Sequence, residues 1–377
     1  MVDFNFTEEQ DLIRQVAREF AETEIRPIIN ELDESDLYPT ELAAKCVEMG
    51  FRGMGYPEEF GGNGGGFVEQ TIIIEELCKV TGQGSNVGPS PLGHGFLASK
   101  DPYIIEKYGR PFINGDFHVA MAWTEPNAGS DAAAIQTTAV KDGDEWILNG
   151  NKCFITGSSW ADVFYVSAKT VDDEGKPGVS VFVVERGFEG FQEGAICHKY
   201  WWRGSGTGEL YLKDCRVPKE NMIGKVNKGL YVTYGMLEMG RLMCATVGLG
   251  LAEGAYDQAV AYSKERVQFG RPICNFQAIQ HMIADMKTQI EAAKLLVYRA
   301  AAMRDEGKDM AFEASMAKLF TTEMAKKVCD DAMQICGGMG LDKHFGIDRY
   351  YRDARTLSIS EGSSQIQRHI ISKKELK

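Results

Sequence analysis

The chemistry of this chain can be built outward from one carboxylate. Glu361 lies in the stretch YYRDARTLSISEGSSQIQR, residues 350–368. No base adjoins it in sequence. Thr356, Leu357, Ser358, Ile359 and Ser360 precede it, and Gly362, Ser363 and Ser364 follow it. A carboxylate among apolar and small neighbours can enter a cavity where desolvation raises its pKa and makes it a stronger base. Gly362 lets backbone come close to a ligand. Small hydroxyl residues at a helix start leave N–H groups free for an anion. The plainer reading is a helix N-cap with an acid in its first turn.

Other segments carry reactive or anion-binding groups. In MAWTEPNAGSD (121–131) Thr124 offers a hydroxyl, and Asn127–Ser130 is expected to form a tight turn with outward N–H groups. KCFIT (152–156) places an aromatic, an Ile and a Thr together. MLEMGR (236–241) supplies Glu238 and Arg241 on a helix, which read locally as a surface ion pair worth roughly 0.3–0.5 kcal/mol. Gly337–Gly338 reads locally as a helix C-cap. The paired Trp201 and Trp202 are bulky enough to be core or interface residues.

Composition narrows the classes. The chain has 377 residues, room for two or three modules around shared cores. Its net charge is −13, which disfavours nucleic acid, whose affinity comes from Lys and Arg contacts to phosphate. No run approaches the roughly 18 apolar residues that span a bilayer. Nine cysteines are scattered without a CxxC pair, which suits a reducing compartment and argues against zinc. No HExxH or Cys/His cluster appears, so no catalytic metal is expected. The N-terminus has neither a basic n-region nor an Arg-rich presequence. A bacterial, cytoplasmic chain is expected, because Met1 leads straight into a helix; a removed presequence is the alternative.

The elements that must position these groups fall into three blocks. Residues 1–117 read as helical. Thr7 and Gln10 form a capping box, and Leu12, Val16 and Phe20, with Ile13 and Ala17, form a buried stripe. Pro39 and Thr40 open a second helix, and Val68–Val80 is a third. GGNGGG (61–66) has no strand leading into it and reads as a flexible connection. Residues 118–228 turn to short strands: VAMAW, IQTTAVK, EWILNG, VFYVSAK, GVSVFVVE and ELYLKD, with KDGDEW as a hairpin. This predicts a small β-barrel or sandwich. Residues 229–377 return to long helices. Ile279, Ile283, Met286, Ile290, Ala293 and Val297 form one stripe, and Ala317, Phe320, Met324 and Val328 another, as in a four-helix bundle. GLGLAEG (248–254) mimics a dinucleotide fingerprint but sits in a helical pattern, so a Rossmann unit is rejected. The fold class is mainly α with a middle β-domain.

YRDAR followed by EGSSQIQR resembles the C-terminal catalytic segment of acyl-CoA dehydrogenases, and the resemblance extends over essentially the whole chain. It implies bound FAD, with Glu361 taking the substrate α-proton while the β-hydride goes to flavin N5. The 121–131 segment resembles the family's TEPxAGSD signature, which implies that Met121, Trp123, Thr124 and Ser130 line the flavin, with Ser130 also on the CoA side. Phe154, Ile155 and Thr156 match the aromatic-Ile-Thr segment against the flavin, an apolar wall and a hydroxyl. Most members have Trp or Tyr in place of Phe154. Arg266, Gln268, Phe269, Phe276 and Gln277 match ERxxFGxxxxxxQ, with Arg266 at the FAD pyrophosphate through a guanidinium fork. Gln334, Gly337 and Gly338 match the QxxGGxG turn, which meets the FAD of a neighbouring subunit. Ser363 and Gln365 belong to the catalytic segment's flavin contacts.

On the substrate side the resemblance implies Ser130, Glu238, Arg241, Ser360 and Gly362. Some members carry the catalytic Glu immediately before the matched Arg241; here that residue is Gly240, which supports Glu361 as the base over Glu238. Ser205 and Thr207 are implied at the CoA or adenine end, and Trp202 stands where Gly is usual. The loop 82–95 lacks an Arg for a second substrate carboxylate. Ser360 replaces a Tyr common in the family, so an acyl group broader or more polar than a short straight chain is expected. The implied partners are an acyl-CoA or enoyl-CoA, an electron-transferring flavoprotein and further copies of the chain, as a homotetramer. A flavin oxidase or monooxygenase, and a non-catalytic CoA- or flavin-binding assembly protein, are the alternatives on the same fold.

Overall fold

The computed structural model describes residues 5–376. The expectation that Met1 leads directly into a helix falls on residues outside that range. The first helix, α1 (Glu8–Phe20), opens on the expected capping box. Gln10 N donates to Thr7 Oγ1 at 3.2 Å, and Thr7 N donates to Gln10 Oε1 at 3.0 Å. Its buried face is Ala17 and Phe20, flanked by Ile13 and Val16. Leu12 corrects the predicted stripe, for it is 60% exposed. Five residues at about 100° each turn it roughly 140° away from Ala17.

Helix α2 (Thr40–Glu48) follows, and the Gly-rich 61–66 stretch is a connection into α3 (Phe67–Cys78). Gly66 caps α3, its N–H donating to Glu69 Oε2 at 2.6 Å. Short helical turns between 84 and 114 complete the N-terminal block.

The middle of the chain is one eight-stranded sheet. Its strands are β1 (Val119–Ala122), β2 (Thr138–Asp142), β3 (Glu145–Ile155), β4 (Val163–Val171), β5 (Pro177–Glu185), β6 (Phe191–Ile196), β7 (Gly208–Pro218) and β8 (Met222–Ile223). The order is β6-β7-β3-β2-β4-β5-β8, with β1 parallel to β4. The KDGDEW hairpin forms as expected, with Asp142 opposite Glu145 and Gly143 at φ 62°. Strands β6 and β8 were not legible in the sequence.

Helix α4 (Gly229–Glu265) runs the length of the C-terminal block and packs against α3 and against α5 (Gln277–Asp305) and α6 (Ala311–Cys336). Helices α7 (Ile347–Leu357) and α8 (Ser364–Glu375) finish the chain on α6. The fingerprint-like glycines of α4 serve helix packing. A Cβ on Gly250 would stand 2.5 Å from Glu75 O, and one on Gly254 2.1 Å from Lys79 O. The α6 stripe needs one correction. Phe320 is 39% exposed, and Thr321, fully buried, takes its place between Ala317 and Met324. No helix among the described residues is long and apolar enough to cross a membrane.

Three segments meet at Asp353 on α7. Its carboxylate accepts from Trp202 N at 2.6 Å and from Gly82 N at 3.3 Å. Burial pushes it up to about 6. Trp202 is held at φ 45°, a conformation that favours glycine.

Candidate active site

Glu361 sits in the tight path between α7 and α8. Glu361 at φ 51° and Gly362 at φ 83° are consecutive left-handed residues, a conformation that costs a non-glycine residue about 1–2 kcal/mol. Several bonds hold the path in place. Ser364 N donates to Ser358 O at 3.0 Å. Gln367 Nε2 donates to Glu361 O at 3.2 Å and Gly362 O at 2.9 Å. Lys318 Nζ on α6 donates to Gly362 O at 2.7 Å, and Ser364 Oγ donates to Glu323 on the same helix. Ser363 caps α8, its Oγ accepting from Ile366 N.

The turn brings the carboxylate onto α4. Glu361 Oε2 is buried and has no hydrogen-bond partner. Burial raises the Glu361 pKa, against the opposing pull of the Lys318 and Arg241 charges. Ser360 Oγ lies 3.7 Å from Cys244 Sγ, beside the carboxylate. Arg241 corrects the local reading of a surface ion pair: it is buried, with its Nε unpartnered. Burial raises Glu238, which is half-buried one turn away.

The 121–131 and 152–156 segments are joined. Cys153 N donates to Thr124 O at 2.9 Å. Below them lies an ion pair that the sequence reading did not weigh. Lys152 Nζ meets Glu125 Oε1 at 2.7 Å, Ser167 Oγ at 3.1 Å and Trp123 O at 3.3 Å. Glu125 Oε1 also accepts from Thr137 Oγ1 at 2.6 Å. A register shift between Lys152 and Ile155 on β3 is the cause, since it breaks the alternation. It puts Phe154 at φ 55°, 68% exposed, with Lys152 and Cys153 both turned inward.

Of the expected apolar pair, Phe154 is exposed and Ile155 is buried in the core of the sheet. The tight turn is also displaced. It spans Glu125–Ala128, closed by reciprocal bonds of 2.9 and 3.0 Å, and Ser130 follows exposed. Met121 and Thr124 are half-buried, and Trp123 is buried with an unpartnered Nε1. Ser205 and Thr207 turn inward. Lys199 Nζ donates to Ser205 Oγ at 2.6 Å, which is 3.1 Å from Thr207 Oγ1, itself 3.3 Å from Thr156 Oγ1.

The remaining predicted residues lie elsewhere. Arg266, Gln268 and Phe269 lie at a short hairpin just beyond the C-terminus of α4, with Phe269 94% exposed, and Phe276 and Gln277 follow at the start of α5. At 1.5 Å per residue, that end of α4 lies roughly 37 Å along the helix from Gly240. Gln334, Gly337 and Gly338 stand exposed at the end of α6, and a Cβ on either glycine would meet nothing within 4 Å. Gln365 is exposed on α8. A cavity of about 580 Å³ opens among Arg18, Arg26, Glu76, Lys79, Asp257 and Tyr350, and is not lined by Glu361.

A desolvated, unpartnered carboxylate on a helix–sheet–helix scaffold is the kind of group that proton transfer at carbon requires, which makes Glu361 the candidate acid or base. The chain matches the acyl-CoA dehydrogenase N-terminal domain over residues 7–111, the middle domain over 120–215 and the C-terminal domain over 227–376. It is 44% identical over 371 residues to "Caffeyl-CoA reductase-Etf complex subunit CarC" of Acetobacterium woodii, covering 97% of this chain and 98% of that one. It is 43% identical over 375 residues to "3-(aryl)acrylate reductase" of Clostridium sporogenes, covering 99% and 100%. The solved butyryl-CoA dehydrogenase of Megasphaera elsdenii superposes with a TM-score of 0.95 at 37% identity, over all of both chains. The chain belongs to the acyl-CoA dehydrogenase family. Membership implies a flavin, and the residues fit one: an uncovered Phe154 ring, an orphaned Trp123 Nε1 and the neighbouring Thr124 and Thr156 hydroxyls.

Proposed function

We propose that the chain is an FAD-dependent enzyme that interconverts an enoyl-CoA and its saturated acyl-CoA, with Glu361 as the α-carbon acid and base. The observation that carries this reading is the buried, partnerless Glu361 Oε2 lying against Gly240. In dehydrogenation Glu361 takes the α-proton. In reduction it returns that proton to the α-carbon while a hydride reaches the β-carbon. Burial raises its pKa, which makes the carboxylate a stronger base than an exposed glutamate. Bound FAD supplies the two-electron chemistry at the β-carbon.

Trp123, Thr124, Phe154 and Thr156 hold the flavin ring, with Met121, Ser363 and Gln365 around it. Ser130, Glu238, Arg241, Ser360 and Gly362 serve the thioester side. Arg266, Gln268, Phe269, Phe276, Gln277, Gln334, Gly337 and Gly338 hold the FAD of a neighbouring subunit in a homotetramer. The distance along α4 between these groups and Glu361 supports that division. Electrons are exchanged with an electron-transferring flavoprotein, in keeping with the relative named as part of an Etf complex. Nine free cysteines support a reducing, cytoplasmic setting.

The substrate is a thioester with a broad acyl group, of which aryl-acrylyl groups are the favoured type. Small residues surround the base, Gly240, Cys244 and Ser360, and two relatives are named for caffeyl-CoA and aryl-acrylate reduction. Anaerobic titration with a thioester panel tests the whole reading. Saturated substrates should bleach the flavin, and Glu361→Gln should keep the flavin yet abolish bleaching. A Glu361→Gln protein that bleaches at the normal rate overturns it.

A further inference from the structure

We propose that Lys318 is a positioning residue for this reaction: through the Gly362 carbonyl it fixes the left-handed turn that aims the Glu361 carboxylate at Gly240. The inference rests on Glu361 being the acid and base. Lys318 lies on α6, directly after Ala317 at the start of the buried stripe, and it is fully buried. A buried ammonium is expensive unless it is paired and hydrogen-bonded. Among the described residues this one has no ion-pair partner; its side-chain bond goes to Gly362 O at 2.7 Å. Its location therefore serves the turn rather than a salt bridge.

The turn needs such support because Glu361 and Gly362 are both left-handed. Their carbonyls are gripped from two helices. Gln367 on α8 reaches both, and Lys318 on α6 reaches the second. Five residues along α6, Glu323 accepts from Ser364 Oγ at the start of α8. One helix thus holds the chain at two points just after Glu361, at Gly362 and at Ser364.

The same ammonium favours ionised Glu361, as does Arg241 on α4. The other groups felt by Lys318 are Cys244 on α4 and Glu323 on α6, and Glu238 acts on Arg241. Removing the Lys318 charge therefore moves the Glu361 titration upward, an effect separate from loss of the bond to Gly362 O.

The experiment compares Lys318→Met, Lys318→Arg and Glu361→Gln. It reads flavin content, assembly size, the rate of flavin reduction by substrate, and the pH profile of kcat/KM. Lys318→Met should assemble with flavin, lose about 10- to 100-fold in flavin-reduction rate, and show its acidic limb at higher pH. Lys318→Arg should keep the limb near its original position. Should Lys318→Met fail to assemble, Lys318→Gln carries the same test, because its amide can still donate to Gly362 O without the charge; its limb should move up with a smaller loss of rate. A Lys318→Met protein that assembles with flavin and reduces it at the wild-type rate, or a Lys318→Gln protein that loses as much rate as Lys318→Met, overturns the inference. If Glu361→Gln still reduces its flavin, the assignment of the base fails instead.

Discussion

The carboxylate of Glu361 is seated on Gly240: a Cβ at that glycine would stand 2.5 Å from Glu361 Oε2. No side chain can share that space without moving the acid. Gly240 is in a regular helix and has no conformational need for glycine, so the requirement comes from this contact.

Gly240→Ala should therefore separate stability from activity. Alanine favours the helix interior by about 1 kcal/mol over glycine, so the thermal midpoint should hold or rise. The displaced carboxylate should slow flavin reduction by about 100-fold, with flavin content unchanged. Normal turnover in this variant would refute the seating of Glu361.

Protonation of Glu361 should act oppositely in the two directions. Its pKa is raised by burial. Dehydrogenation needs the carboxylate, so kcat/KM should fall as pH drops through a value above the usual glutamate, about 4.3. Reduction needs the acid, so its kcat/KM should fall as pH rises through that same value. The folding contribution has the second sign: it is full below the unfolded pKa and is lost as pH climbs through the folded one. Parallel profiles in the two directions would contradict the assignment.

The Lys152–Glu125 pair should be strongly structural. Burial pulls Lys152 down to about 8, while Lys152 and Thr137 hold Glu125 low, so both are charged near neutral pH. Glu125→Gln strands a buried ammonium beneath the 121–131 segment and should destabilise the fold by about 3–5 kcal/mol. The double variant Lys152→Met, Glu125→Gln should recover part of that loss. Denaturant unfolding of the set measures both.

Ser360→Tyr should narrow the acyl site. The new ring would enter the space beside Cys244 and Glu361. Relative kcat/KM should shift at least about 10-fold from aryl-acrylyl thioesters toward crotonyl-CoA, the range expected for a pocket reshaped by a few methylene equivalents. An unchanged ratio would place the acyl group elsewhere.

Much of the architecture was readable because long periodic helices and β-branched strands announce themselves. Residues such as Met286, Ile290, Ala293 and Val297 form a stripe and are buried where the period puts them. Failures came where a side chain follows something other than period. Leu12 and Phe320 are apolar yet exposed, because the buried arcs of α1 and α6 are centred on their neighbours. Ile155 and Phe154 depend on a bulge, which shifts register without a strong sequence signal. Lys318 was missed although it follows Ala317 directly on the α6 stripe, because a lysine there looks like a solvated side chain until the partner carbonyl is seen. The polar strand β6, QEGAI after Phe191, has too few β-formers to stand out.

The placement of candidate flavin-binding groups at both ends of a 37-residue helix has a genetic corollary. On the proposed division of the flavin site between subunits, two crippled alleles, one lacking Glu361 and the other lacking Arg266, would damage different corners of a shared compartment. Co-expressed in one cell, they would form some mixed particles in which one compartment inherits both intact halves. Neither parent could do this alone, so partial recovery of turnover on mixing would reveal how the compartment is divided between chains.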